Sequence, residues 1–243
     1  PDYLAAMVAA LDAQPDAPFA YAYSWRVDEQ DRLLPELHLG RAPRHDFLGL
    51  LSLNSVGSGS AAVFRRKAVL ALGGYDETLR VRAAQGAEDW KLIVRLAAVA
   101  PPALVQRSLV AYRLVAESMS QADPRRQLRA VLAVLGDLQA EFPATPQRCF
   151  RNARTMMIAW LLPAFLRKRR YGEAARQALV AYAVNPLWFL DANIRAVHLA
   201  RLRMALDGLA RAPGAPRAAP GTLADALLDG NRPFAFLNES AVR

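Results

Sequence analysis

Two adjacent carboxylates, Glu88 and Asp89, follow a glycine and open an amphipathic run, "EDWKLIVRLAA". The chain's largest kind of aromatic, Trp90, comes next. An acid at the mouth of a helix has two uses. It can accept from the exposed N–H groups there, where the macrodipole also favours negative charge. It can also serve as a proton-transferring or ligand-binding group in a site. A cap needs one acid and no aromatic neighbour. Here a Gly/Ser stretch, "VGSGS", lies upstream, and "YRLVAESMS" lies downstream. Two acids in that company point beyond capping.

The elements that must position these residues can be read from pattern. "YLAAMVAALDA" (3–13) is a helix, with Pro1 and Asp2 suited to its start. "APFAYAYSWRV" (17–27) alternates and is rich in aromatics, as a strand is. "DEQDR" is a polar turn, and "LLPEL" leads away from it. A short helix is expected over 45–52. Residues 53–79 give a Gly/Ser loop, a strand at 61–65, a helix at 66–72 and a Gly-Gly stop. The acid pair opens a helix over 89–99, which Pro101 and Pro102 end. Residues 103–114 offer one or two strands. Alternating strands and helices indicate an α/β domain over 1–122. Beyond "SQADPRR" the patterns at 125–141, 147–170, 172–184 and 187–206 are helical, so a helical extension spans 125–206. Each helix carries an apolar stripe with few partners of its own, so the extension is expected to pack on the α/β part. A flexible linker and tail occupy 207–243.

Composition narrows the function classes. The net charge is +9 and 53% of the 243 residues are hydrophobic. The positive charge is almost all arginine, spread along the chain, with lysine only at Lys67, Lys91 and Lys168. That distribution argues against nucleic acid as a partner. One cysteine, Cys149, excludes an internal disulfide and a cysteine-based metal site. His38, His45 and His198 lack ligand spacing. No signal peptide is visible, and a cytoplasmic location is expected. The longest apolar run, 156–166, is short of the ~20 residues a spanning helix needs.

The order of motifs resembles the second half of a family 2 glycosyltransferase catalytic domain, of the GT-A (nucleotide-diphospho-sugar transferase-like) fold. The matching residues are "GSGSAAVFRRKAVLALGGYDETL", then "AQGAEDWKLIVRLA", then "LVAYRLVAESMSQ". The fold class expected is therefore α/β: a partial GT-A domain over 1–122, followed by a helical region. The resemblance implies inverting transfer of a sugar from a nucleotide-sugar to a saccharide or lipid-linked acceptor hydroxyl, in cell-surface polysaccharide or glycolipid assembly. Asp89 matches the family's base. Glu88 would hold the loop or touch the acceptor. Trp90 would be a stacking platform for a sugar ring or a core anchor. Gly57, Ser58 and Gly59 would let backbone approach a sugar, or form an ordinary turn. Arg113 would face the diphosphate, as guanidinium geometry allows, or end its strand in a surface pair. Where the family often has histidine two residues later, this chain has Val115. Lys91 and Arg95 share a helix face and read as solvated charge.

The family also implies a divalent metal, Mg²⁺ or Mn²⁺, held by an Asp-x-Asp motif. The sequence has no such motif, and "DEQD" (28–31) has the wrong spacing. The chain reads as beginning just past the metal motif, with the nucleotide-binding half and the metal ligands outside it. Two other readings are a non-catalytic remnant or interaction module, and a peripheral membrane protein. For the second, 153–170 joins an apolar face to the basic cluster Arg167–Arg170, at the inner face of a membrane. A chain without a donor half is expected to show no metal-dependent nucleotide affinity and no transfer. Calorimetry with UDP-, GDP- and dTDP-sugars plus Mn²⁺ or Mg²⁺ checks this, and micromolar binding would contradict it.

Overall fold

The computed structural model describes residues 2–33, 44–115, 123–191, 194, 195 and 199. The segment "LLPEL" after its first residue, Ser118 and Ser120, and the expected linker and tail lie outside these residues. Helix α1 (Tyr3–Ala13) precedes strand β1 (Phe19–Val27). Then come α2 (Phe47–Ser52), a 3-10 turn (Gly59–Ala61), β2 (Ala62–Phe64), α3 (Arg66–Ala71) and α4 (Thr78–Val81). Next are α5 (Glu88–Val99) and β3 (Ala103–Arg113). Residues 103–113 thus form one strand, and α4 is a short helix that the sequence pattern does not announce.

The sheet has the order β2-β1-β3. β2 runs antiparallel to β1, with Tyr21 opposite Ala62. β3 runs parallel to it, from Ala20↔Ala103 to Val27↔Arg113, with irregular register around Tyr23. Side chains along a strand alternate between faces. In β1, Phe19 and Tyr21 therefore enter one core, and Ala20 and Ala22 the other. The small residues receive α1, whose Met7 and Leu11 pack on Ala17, Ala20, Ala22 and Ala103. Asp2, at the helix start, makes no capping bond but accepts from Arg107 of β3 at 2.5 Å. Arg65 fixes the other end of α1. Its guanidinium donates to the carbonyls of Leu11 (2.7 Å), in the last turn of α1, and Ala17 (2.9 Å), in the loop that follows.

The larger face of β1 starts a core that does not stop at the α/β part. Phe19 and Tyr21 share it with Leu50 and Leu51 of α2 and with Trp90, Ile93 and Leu96 of α5. The same core takes in Val131, Val134 and Leu138 of α6 (Pro124–Glu141), and Phe150 and Met157 of α7 (Gln147–Arg167). The start of α6 is capped by Asp123, which accepts from the Arg125 N–H, with Pro124 inside the first turn. α7 and α8 (Tyr171–Val184) share a second cluster, in which Ala174 and Ala181 meet Ile158, Leu161 and Phe165. Met156 and Ala159 meet Ile194. Most apolar residues of 153–166 thus make protein contacts, Trp160, Leu162 and Leu166 being only partly buried. No helix among the described residues is long and apolar enough to cross a membrane.

The expectation of solvated charge at Lys91 and Arg95 is overturned. Lys91 is only 9% exposed, and its ammonium donates to Asp76 (2.5 Å) and Asp137 (2.7 Å). Asp137, on α6, also receives both guanidinium nitrogens of Arg82. Arg95 donates to Glu141 (2.7 Å) and to the Leu72 carbonyl (2.9 Å). The helix face is charged because α6 places carboxylates opposite it, which α5's own sequence does not show.

Lys91→Met leaves two half-covered carboxylates without their shared cation. A loss of about 2–3 kcal/mol in urea unfolding is expected, below the value for a fully buried pair because both acids keep some solvent. The hydrogen bond from Lys91, with help from Thr78, holds Asp76 down from 3.8 to about 2. A depressed folded-state acid stabilises fully above its unfolded value and loses that as pH falls through the folded one. Unfolding free energy should therefore drop between pH 3.8 and about 2, and Asp76→Asn should flatten that drop.

Candidate functional site

Strands β1 and β3 are parallel, so Val27 and Arg113 mark one end of the sheet, the carboxyl end. β2 is antiparallel and begins opposite Tyr21, so the Gly/Ser turn that precedes it lies on the side of β2 toward that end. Crevices outside the carboxyl ends of strands are where α/β sheets bind ligands. The first turn of α5 meets that turn there. The contact is between Asp89 and Gly59: the Gly59 N–H donates to Asp89 Oδ2 at 3.2 Å.

Asp89 is not the cap residue of α5. That position is Ala87, whose side chain cannot accept, and Asp89 lies in the first turn. Its Oδ1 accepts from the Trp90 N–H at 2.7 Å, so one oxygen serves the helix and the other faces the Gly/Ser turn. Burial pushes the Asp89 carboxyl above its ordinary value, and the neighbouring Glu88 charge pushes the same way. The hydrogen bonds from Trp90 and Gly59 oppose them and do not win. The result is a carboxylate with higher proton affinity than a solvated aspartate, the direction a general base requires.

Glu88 takes the loop-holding part. Its Oε2 accepts from the Gly86 N–H at 2.6 Å, closing the turn before the helix. Trp90 is 2% exposed, and its indole N–H donates to the Leu50 carbonyl at 2.8 Å. Its ring is core, with no face open for a sugar, so the anchor reading fits it and the stacking platform does not. Gly57 has φ +77, a conformation that favours glycine, and receives Asn54 Oδ1 on its N–H. Ser58 caps the 3-10 turn by accepting from the Ser60 N–H at 3.1 Å. Arg113 is not brought to Asp89. Its guanidinium pairs with Asp31 at 2.7 Å and reaches the Glu29 carbonyl at 3.4 Å, both in the turn after β1.

One residue at this corner escaped the sequence reading. Tyr75 is 48% exposed, and its phenol lies near Gly59, where an added Cβ would stand 3.8 Å from the hydroxyl and 3.6 Å from Asp89 Cβ. Burial, then the charges of Asp89 and Glu88, raise the phenol's proton affinity. Tyr75 stands 14 positions from Asp89, in the "GGYDE" loop, and no helical or strand period links the two.

A divalent metal does not fit the described residues. No group of three or more His, Cys, Asp or Glu among them could hold an ion. The acids of the 28–31 turn are engaged: Asp28 accepts from Arg32 and Asp31 pairs with Arg113.

The sequence model for "Glycosyltransferase like family 2" matches residues 1–153. That span runs through α6 and into α7, past the boundary that the sequence pattern suggests near 122. No curated protein and no solved structure matches.

Gly57→Ala should cost about 1 kcal/mol in urea unfolding, because its φ is unfavourable for a side chain although space is open. Gly59→Ala should leave the urea midpoint almost unchanged, since its Cβ would meet Asp89 at ordinary van der Waals distance. A large loss at Gly59 would mean that the turn is more tightly fitted to Asp89 than these distances indicate.

Proposed function

This chain belongs to the family 2-like glycosyltransferases, and on that premise we propose that it supplies the acceptor-side half of an inverting sugar transfer, with Asp89 as general base. The observation that supports this is the placement of the Asp89 carboxylate. It lies in the first turn of α5, half-buried at the carboxyl end of the sheet, with its proton affinity raised. In the proposed reaction the acceptor oxygen bonds to the anomeric carbon as the bond to the nucleotide diphosphate breaks. The diphosphate leaves with the electron pair, and the hydroxyl proton passes to Asp89. Attack from the face opposite the leaving group inverts the centre. Glu88 shapes the loop that carries Asp89, and Tyr75 faces the space beside it. The resemblance supports a nucleotide-sugar donor and a saccharide or lipid-linked acceptor in cell-surface polysaccharide or glycolipid assembly.

Asp89→Asn keeps the side-chain shape and still accepts from an N–H, but it cannot take the proton. In a transfer assay with UDP-, GDP- and dTDP-sugars, run on this chain alone and joined to a donor-binding half, it should lower turnover by ~10²–10⁴-fold with donor affinity kept wherever the unsubstituted protein transfers sugar. Near-wild-type turnover in that variant removes Asp89 from the role. Nucleotide-sugar affinity without turnover in either chain favours a non-catalytic binding module. Where transfer is seen, a base must be deprotonated, so activity should fall on the acid side. The raised Asp89 value places that fall above the 3.8 of an ordinary aspartate.

A further inference from the structure

The loop that delivers Asp89 is held from outside the α/β part. Gly86 has φ +107, and both of its backbone polar groups are occupied. Its N–H donates to Glu88, and its carbonyl accepts from Gln127 Nε2 of α6 at 3.0 Å. A Cβ on Gly86 would stand 3.3 Å from Gln127 Oε1, so the two are in close contact. One residue earlier, Gln85 Oε1 accepts from Arg126 at 2.6 Å. At the far side of the same turn, Lys91 is tied to Asp137 of α6. Thus α6 grips the segment before Asp89 and the segment after it, while the cap position itself, Ala87, contributes no side-chain bond.

We propose that Gln127 is a positioning residue for Asp89: by fixing the Gly86 carbonyl it sets the pose in which the Asp89 carboxylate meets Gly59. This rests on Asp89 being the base, but its physical content does not. An α-helix that begins on an unsupported residue frays in its first turn, where the N–H groups have no partners of their own. Asp89 stands in that turn. Its Oδ2 meets Gly59 only while the turn is formed, and its burial depends on the same closure. Gln127 removes the freedom of the residue on which the turn starts. α6 would then be part of the catalytic apparatus, not an appendage behind it.

The test reads the pose directly, without any sugar donor. Amide hydrogen exchange and ¹³C titration of the Asp89 carboxyl would be followed by NMR in the wild-type chain, in Gln127→Met and in Gln127→Ala. Met keeps the volume and removes the donor; Ala removes both. In each variant the Gly59 and Trp90 amides should exchange about 5–10-fold faster, as loss of one partly buried hydrogen bond predicts for local opening. The Asp89 midpoint should move down toward the ordinary value, and the Ile93 and Leu96 amides should stay put. An unchanged Gly59 amide and an unchanged Asp89 midpoint would overturn the proposal. So would a uniform rise at Gly59, Ile93 and Leu96, which would mark general destabilisation. Because these signals need no turnover, they remain readable if Asp89→Asn leaves transfer intact, so the two claims can fail separately.

Discussion

A single ammonium group ties together three stretches of chain that are far apart in sequence. Lys91 comes from α5, Asp76 from the loop after the Gly-Gly stop, and Asp137 from α6. A lysine this covered is tolerated only when its charge is answered, and the two carboxylates answer it. Their own repulsion is in turn relieved by Lys91 and by Arg82. The direction of α5 across the sheet, the height of the Tyr75 loop and the seating of α6 are thereby one decision. The apolar core beneath, from Phe19 to Met157, supplies most of the attraction. It is non-directional, and the ionic cluster at its rim selects the register.

The site shows the same division between attraction and placement. Asp89 could have been an ordinary helix-start acid, solvated and fully ionised. It differs because the Gly/Ser turn covers one side of it. The turn does so by bringing the backbone N–H of Gly59 to Asp89 Oδ2. Covering a carboxylate raises its proton affinity, and giving it two N–H donors lowers it. The balance here falls on the side of burial and Glu88. A carboxylate with more donors would be better held and a poorer base.

Much of the frame was legible in the chain. The alternation in "FAYAYSW" and the i, i+3, i+4 stripe of "WKLIVRLAA" identify β1 and α5, because these periods are set by the backbone. The double proline ends α5 where expected. What did not show was everything that depends on a partner far away in sequence. The parallel pairing of β1 with β3 leaves no mark in either strand. Lys91 and Arg95 sit at helical spacing, as solvated charges do, and only the acids of α6 make them structural. Tyr75 reaches Asp89 through a loop, and Arg113 turns toward Asp31 for the same local reason that any strand-end arginine finds the nearest acid. The Glu-Asp pair was visible, but its division of labour was not: Glu88 closes a turn while Asp89 faces the crevice.

The middle strand of this sheet is also its earliest. β1 is complete at Val27, yet its parallel neighbour begins only at Ala103. The loop to be closed between Ala20 and Ala103 is long, and the entropy of closing it must be met before that ladder contributes anything. Such non-local pairing gives the α/β part a high contact order for its size, and it should gather slowly around α2 to α5. During synthesis on a ribosome, "FAYAYSW" is made well before its cover. The stretch is aromatic, carries no charge and has a high preference for extended structure, the composition that pairs with other chains when left open. Pro18 and Arg26, which flank it directly, are the nearest residues that would discourage such pairing during that interval.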